Sequence, residues 1–173
     1  MLFYTMVTRG GESRADRETA RNEALARLFE RAGLPADAVV AKDERGCPYL
    51  PAFPDRFISI SHAPSVTVAA ISDAPLGVDG ESPASIRDPM GLARRYFTDD
   101  ERADAVDPDA ICRIWTKKEA YAKYTGLGLA ETYRVSTRDL PCEAAFYTVT
   151  HDTDRGIVYL TFCAHEPPQT LIR

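Results

Sequence analysis

The sequence predicts an α+β fold in which short strands and amphipathic helices are mixed along one chain of 173 residues. Three observations predict it. Runs rich in β-branched and aromatic residues, bounded by Pro, Gly and Asp, recur in both halves of the chain. Between them lie stretches with helical apolar spacing and start and stop signals at their ends. The order is strand, helix, strands, then strand, helices, strands, with a midpoint near residue 75, although no internal repeat is visible in the residues themselves. Residues 1–75 and 76–173 are therefore expected to form an N-terminal and a C-terminal half of one unit.

Each element has its own justification. Residues 2–8 read as an opening strand inside a sheet, and residues 13–32 place Ala20, Ala24, Leu25, Leu28 and Phe29 on one helical face that Gly33 ends. The other face carries Arg14, Arg17, Arg21, Arg27 and Arg31, which Glu18, Glu23 and Glu30 can neutralise. Residues 35–55 are punctuated by Pro, Asp and Gly around a short strand at 39–42. Strands are expected at 57–60 and 65–72, separated by Ser61-His62-Ala63-Pro64, and another carries Asp79 and Glu81. A helix follows at 89–96; Thr98 to Glu101 has the form of a capping box, and the helix at 109–124 ends at Gly126. The remainder reads as strands at 132–136, 144–150 and 156–164.

Composition bounds the function. Hydrophobic residues at 45% and charged residues at 27% are ordinary for a globular protein, and a chain of this length buries roughly two-thirds of its unfolded surface. Twenty-one Lys and Arg against 26 Asp and Glu leave a net charge of −5, which argues against nucleic acid as the main partner. Cys47, Cys112, Cys142 and Cys163 show no C-x-x-C spacing, so zinc is not expected and reduced thiols are. The opening residues lack a basic segment, and no stretch approaches the 18 or so apolar residues of a membrane span. A cytoplasmic location without membrane contact is expected.

Two motifs carry chemistry. In Ile114-Trp115-Thr116-Lys117-Lys118-Glu119-Ala120-Tyr121-Ala122-Lys123, helical spacing lines Trp115, Glu119 and Lys123 along one face. Glu119 and Lys123 are equally readable there as an ordinary i,i+4 ion pair. In Gly77-Val78-Asp79-Gly80-Glu81, strand alternation turns Asp79 and Glu81 to one side. With Glu119 they make an all-oxygen, highly charged cluster of the kind a hard cation such as Mg²⁺ prefers. A Ser-His pair between strands, Ser61 and His62, offers a hydroxyl and an imidazole suited to a phosphate.

The two motifs in this order, Gly77-Val-Asp79-Gly-Glu81 and Trp115-Thr-Lys-Lys-Glu119-Ala-Tyr-Ala-Lys123, resemble the paired signature of the 4′-phosphopantetheinyl transferases, G-[IV]-D-x-E … W-x-x-K-E-x-x-x-K. Ser59-Ile60-Ser61-His62 is similar to the family's Ser-His block, Gly46-Cys47-Pro48 to its G-K-P block, and Phe97 to Glu101 to its F-x-x-x-E segment. The matched blocks run from about Gly46 to Leu129. The resemblance implies two similar α/β lobes related by a pseudo-twofold axis, with coenzyme A in the cleft between them. It implies transfer of 4′-phosphopantetheine from coenzyme A to a serine of an apo acyl or peptidyl carrier protein, releasing 3′,5′-adenosine diphosphate, by a monomer.

In that reading Asp79, Glu81 and Glu119 hold Mg²⁺, Glu119 is the base for the serine, and Lys123 neutralises or protonates the departing phosphate. Lys118 grips the pyrophosphate, Ser61 and His62 contact the 3′-phosphate, and Trp115 packs beneath the helix. Arg14, Arg17 and Arg21 gain interest as basic residues early in the chain. Two positions depart from the family pattern: Cys47 replaces the lysine of G-K-P, and Gly80 stands where an aliphatic residue is usual. Arg45, two residues before Cys47, is the expected substitute for the missing cation. A non-catalytic coenzyme A-binding homologue and a Mg²⁺-dependent phosphohydrolase are the alternative readings.

Overall fold

Ser13 and Gly33 bracket the first helix as their chemistry dictates. The Ser13 hydroxyl accepts from the Asp16 N–H at 3.1 Å, while Asp16 accepts from the Ser13 N–H at 3.0 Å, and Gly33 ends the helix at φ 69°. This helix, α1 (Arg14–Ala32), follows the strand β1 (Phe3–Thr8) in a computed structural model that describes residues 1–9 and 11–170.

Two sheets form the body. In the first, β4 (Phe57–Ala63), β5 (Val66–Ser72), β1 and the short β9 (Gln169–Thr170) lie in that order, antiparallel except for β1 with β9. In the second, β6 (Leu76–Glu81), β8 (Gly156–Ala164) and β7 (Ala145–Thr153) are antiparallel throughout. Between α1 and β4 sits a small hairpin, β2 (Ala41–Lys42) with β3 (Pro48–Tyr49). After β6 come a 3-10 turn (Pro83–Ser85), then α2 (Pro89–Tyr96), α3 (Asp99–Asp104), α4 (Pro108–Thr125) and α5 (Leu129–Thr132). Each half opens on a strand, passes through helix and ends in a hairpin whose second strand returns antiparallel to the opening strand; the first half adds the β2–β3 hairpin, and the second has four helices where the first has one.

Strand alternation distributes the core. Phe3, Val7, Ala69 and Ile71 meet Leu25, Leu28 and Phe29 of α1. Leu2, Tyr4, Val66, Val68 and Ala70 turn the other way and meet Leu76, Val78, Val158, Leu160 and Phe162 of the second sheet. The Tyr4 and Phe162 rings lie 4.7 Å apart in this layer. Each such side chain contributes about 1.5–3 kcal/mol when fully buried, and this shared layer fixes how the sheets stack. Helix α4 covers the opposite face of β6 and β8.

The edge strands β4 and β6 lie side by side in different sheets and are joined by hydroxyls. Ser59 Oγ accepts from the Val78 N–H at 3.0 Å, and Ser61 Oγ accepts from the Gly80 N–H at 3.2 Å. These two buried serines satisfy backbone donors that no neighbouring strand reaches.

Several expectations are corrected. The strand expected at 57–60 continues to Ala63, so Ser61 and His62 lie within β4. The turn is only Pro64-Ser65, tight because Ser65 adopts φ 60°. Residues 132–136 form no strand: α5 closes with Thr132 Oγ1 donating to Gly128 O at 2.9 Å, and the carbonyls of Tyr133 and Val135 are taken by Lys118. The strands β3 and β9 were not expected. All four cysteines are free thiols, and among the described residues no helix is long and apolar enough to cross a membrane.

Candidate active site

The site is built where α4 lies against β6. Asp107 caps the helix, accepting from the Ala110 N–H at 2.7 Å; Pro108 opens it, and Gly126 closes it at φ 67°. Gly77 permits the approach, since a Cβ there would stand 2.0 Å from Ala120 O and 2.5 Å from Tyr124 N. Alternation along β6 then turns Asp79 and Glu81, with Gly77, toward α4.

Asp79 is nearly enclosed. Its Oδ1 accepts from Ser61 Oγ at 2.9 Å and from Lys123 Nζ at 2.8 Å, and Lys123 also donates to Val78 O at 2.9 Å. Lys123 therefore reaches across to the strand. Among the described residues it makes no ion pair with Glu119, so the ordinary i,i+4 reading gives way to an inter-element bridge. Glu81 Oε1 accepts from the Ser82 N–H at 2.9 Å and from Ser85 Oγ.

Glu119 is pushed up to a pKa of about 6, first by burial and then by the charge of Asp79, with Glu81 adding to it and Lys123 opposing it. Three carboxylates thus share one electrostatic neighbourhood with a single partly offsetting ammonium. Among the described residues no three acidic, His or Cys side chains are gathered into a ready-made metal nest. The excess of negative charge felt by Glu119 and the all-oxygen donor set nonetheless fit a hard divalent cation.

Beside this cluster opens a cleft of about 1260 Å³ between α1, the β2–β3 hairpin, β4 and the end of α4. Arg14, Arg17, Arg21, Lys42, Arg45, Arg56 and Lys123 line it, against the single acid Glu18. An acidic chain has therefore concentrated cations on one wall. Leu50, Tyr49, Ile58 and Phe57 add apolar surface. Lys123 belongs to both regions: it lines the cleft and bonds to Asp79.

His62 lies on the cleft, its Nδ1 3.0 Å from Thr67 Oγ1. Much of the ring faces open space, yet surrounding atoms crowd it. That partial desolvation, then the charges of Arg9, Arg17, Lys123 and Arg21, push its pKa down to about 4. At neutral pH it offers a neutral hydrogen-bonding ring, and the surrounding arginines and lysines offer the charge.

Two expected ligands belong elsewhere. Lys118 is only 2% exposed; it pairs with Glu101 at 2.7 Å and donates to Tyr133 O at 2.7 Å and Val135 O at 2.9 Å. Glu101 in turn accepts from the Thr98 N–H at 2.8 Å and the Thr137 N–H at 2.7 Å. Burial pushes the Glu101 carboxyl up, but Lys118 and these N–H donors outweigh it and leave its pKa lowered. A buried pair so completely bonded holds α3, α4 and the 133–137 segment together and has no free donor for a pyrophosphate. Ser61 likewise spends its hydroxyl on Asp79 and Gly80 inside the seam and does not face the cleft. The strand alternation that sends His62 outward sends Ser61 inward.

The remaining positions are informative. Trp115 packs beside α2, its ring 5.3 Å from Tyr96. Arg45 lines the cleft next to Cys47, and its Nη1 donates to Gly126 O at 3.3 Å. At Gly80 a Cβ would stand 2.7 Å from Leu160 Cδ2 and 3.3 Å from the Ala63 Cβ, so neighbouring side chains already occupy that volume. Lys42 and Arg56 were missed by sequence reasoning; Lys42 ends the two-residue β2 and Arg56 immediately precedes β4.

Residues 75–169 match the family model described as the 4′-phosphopantetheinyl transferase superfamily. Among curated proteins, the chain is 27% identical over 157 residues to the 4′-phosphopantetheinyl transferase psf-1 of Bacillus pumilus, covering 77% of this chain and 66% of that protein. It is 33% identical over 116 residues to a 4′-phosphopantetheinyl transferase of Bacillus subtilis, covering 61% and 50%. It is 26% identical over 147 residues to 4′-phosphopantetheinyl transferase Sfp of Bacillus subtilis strain 168, covering 75% and 65%. The matches thus span about half to two-thirds of each relative's length.

Proposed function

Because the chain belongs to the 4′-phosphopantetheinyl transferase superfamily, we propose that it transfers 4′-phosphopantetheine from coenzyme A to a serine hydroxyl of an apo acyl or peptidyl carrier protein, releasing 3′,5′-adenosine diphosphate. The observation that carries the reading is the cation-lined cleft meeting the carboxylate cluster at Lys123. Coenzyme A is a polyanion with an apolar, aromatic base, and the cleft offers cations and apolar surface together.

Arg14, Arg17, Arg21, Lys42 and Arg56 hold the nucleotide phosphates by charge, with His62 adding a neutral hydrogen bond at the 3′-phosphate. Arg45 supplies charge where Cys47 stands in place of lysine. At the far end Glu119 takes the proton of the attacking serine. In the metal-free protein burial and the charge of Asp79 raise its pKa to about 6, and it remains mostly ionised near pH 7, able to accept a proton. The serine oxygen then forms its bond to the phosphorus carrying the pantetheine arm, and the bond to the departing phosphate breaks. Lys123, at the mouth between cleft and cluster, offsets the negative charge on the leaving group. Asp79, Glu81 and Glu119 would hold Mg²⁺, which would supply charge neutralisation on the pyrophosphate.

The two-lobed arrangement, residues 1–75 and 76–173 about a pseudo-twofold axis, belongs to the same proposal. The shared strand-helix-hairpin order supports it. Mass spectrometry of an apo carrier protein after incubation with coenzyme A and Mg²⁺ tests the activity. A gain equal to one phosphopantetheine is expected; an unchanged mass across acyl and peptidyl carriers would contradict it.

A further inference from the structure

The seam between the sheets contains two serines that do the same structural work, of which only one touches the carboxylate cluster. Ser59 and Ser61, alternate residues on β4, each accept a backbone N–H from the neighbouring edge of β6, at Val78 and Gly80 respectively. Both side chains are buried, at 3% and 6% exposure. Ser61 alone sends its own proton onward, to Asp79 Oδ1 at 2.9 Å.

That second bond changes what Asp79 can do. Its Oδ1 holds two donors, Ser61 from the N-terminal half and Lys123 from α4, while among the described residues Oδ2 has no protein partner. A carboxylate fixed on one oxygen from two directions cannot rotate freely about its last torsion, so its other oxygen keeps one direction. We infer that Ser61 is a positioning residue that orients the Asp79 carboxylate and thereby sets the affinity of the cluster for a divalent cation. The inference rests on the metal reading proposed above. It reassigns Ser61 from the phosphate of the nucleotide to the acidic end of the site, and it makes the N-terminal half a contributor to a centre whose carboxylates all lie in the C-terminal half.

Ser59 supplies the control. Ser59→Ala and Ser61→Ala each leave one buried N–H of β6 without its acceptor, and they differ in the contact to Asp79. Mn²⁺ is titrated calorimetrically into each full-length protein without coenzyme A, and thermal melting is recorded alongside. Partners that orient a metal ligand are typically worth about 10–100-fold in affinity. Ser61→Ala is expected to bind Mn²⁺ at least about tenfold more weakly than Ser59→Ala, with comparable losses in melting temperature and unchanged coenzyme A binding in metal-free buffer. Equal Mn²⁺ affinities in the two variants would overturn the positioning role while leaving the metal reading intact. A wild-type protein that takes up no Mn²⁺ would overturn the metal reading itself. Should Ser61→Ala fail to fold, Ser61→Cys and Ser59→Cys carry the same comparison, since a thiol keeps the volume but is a weak donor.

Discussion

The cleft wall and the carboxylate cluster handle charge in opposite ways. On the wall, cations stand in the open: the Arg17 side chain is 50% exposed, and its neighbours reach the same water. In the cluster, the Asp79 side chain is 11% exposed and is tied to two elements at once. Exposed cations cost little to maintain and act as a field, so losing one leaves the others. Buried carboxylates are desolvated and share a few fixed partners, so losing one changes all of them. The difference teaches where substitutions should be graded and where they should be all-or-none.

Asp79→Ala should give the largest effect. It removes a ligand of the proposed ion and releases both Ser61 and Lys123, and a lost metal contribution of several kcal/mol corresponds to roughly a thousandfold in rate. Relief of repulsion among the carboxylates should leave the melting temperature near that of wild type. Carrier-protein mass spectrometry and thermal melting check the two halves of this statement, and near-wild-type turnover would break the comparison at its acidic end.

Next is the cost of the cluster to the metal-free fold. The folded pKa of Glu119, about 6, lies above its ordinary value of 4.5, so the folded state holds that proton more tightly than the unfolded state does. This contribution is fully present below pH 4.5 and is lost as the pH rises through about 6, amounting to about 2 kcal/mol at about 1.4 kcal/mol per pH unit. Denaturant midpoints measured in EDTA should fall over that window, and saturating Mg²⁺ should flatten the fall. A midpoint that rises over the same window would contradict the sign.

On the cleft side, His62→Ala should narrow the preference for coenzyme A over its 3′-dephospho form by about tenfold, the scale of one well-placed hydrogen bond to a charged group. With a pKa near 4, His62 is already neutral at pH 6, so its contribution should not change between pH 6 and 8. A difference in preference between wild type and His62→Ala that collapses across that range would show a charged imidazole, since titration of the 3′-phosphate itself is common to both proteins. The smallest effect is expected at the hairpin: Arg45→Ala should weaken coenzyme A binding a few-fold, with Cys47→Lys restoring most of the loss in the double variant. Calorimetric titration of coenzyme A checks both, and wild-type affinity in Arg45→Ala would exclude compensation.

What the sequence revealed was what neighbouring residues decide. The helices α1 and α4 were legible because the apolar spacing that Gly33 ends and the stop at Gly126 are signals within the chain itself. Asp79, Glu81 and Glu119 were legible because alternation on a strand and spacing on a helix fix their faces. Distant partners were not. The strand β9 depends on pairing with β1 across nearly the whole chain, and the β-rich composition of 132–136 was overridden when Lys118 claimed its carbonyls. Lys118 was expected as a ligand from the resemblance, whose motif sets it directly before Glu119, yet one residue along a helix turns a side chain through about 100°, here into the Glu101 pocket. Ser61 was misplaced for the matching reason on a strand, once the turn was set too early. The cations Lys42 and Arg56 gave no local signal, since only folding brings them to the wall.

The division between the two regions has one direct test: the coenzyme A dissociation constant and the single-turnover transfer rate at saturating coenzyme A, measured on the same two variants. The Arg14/Arg17/Arg21→Ala triple variant should raise the dissociation constant by at least about tenfold and leave the saturated rate near wild type. Glu119→Gln should do the reverse, lowering the rate by about 10²–10⁴ with little change in binding, as a general base does. Changes in both quantities by similar factors in either variant would contradict a cleft that binds beside a cluster that reacts.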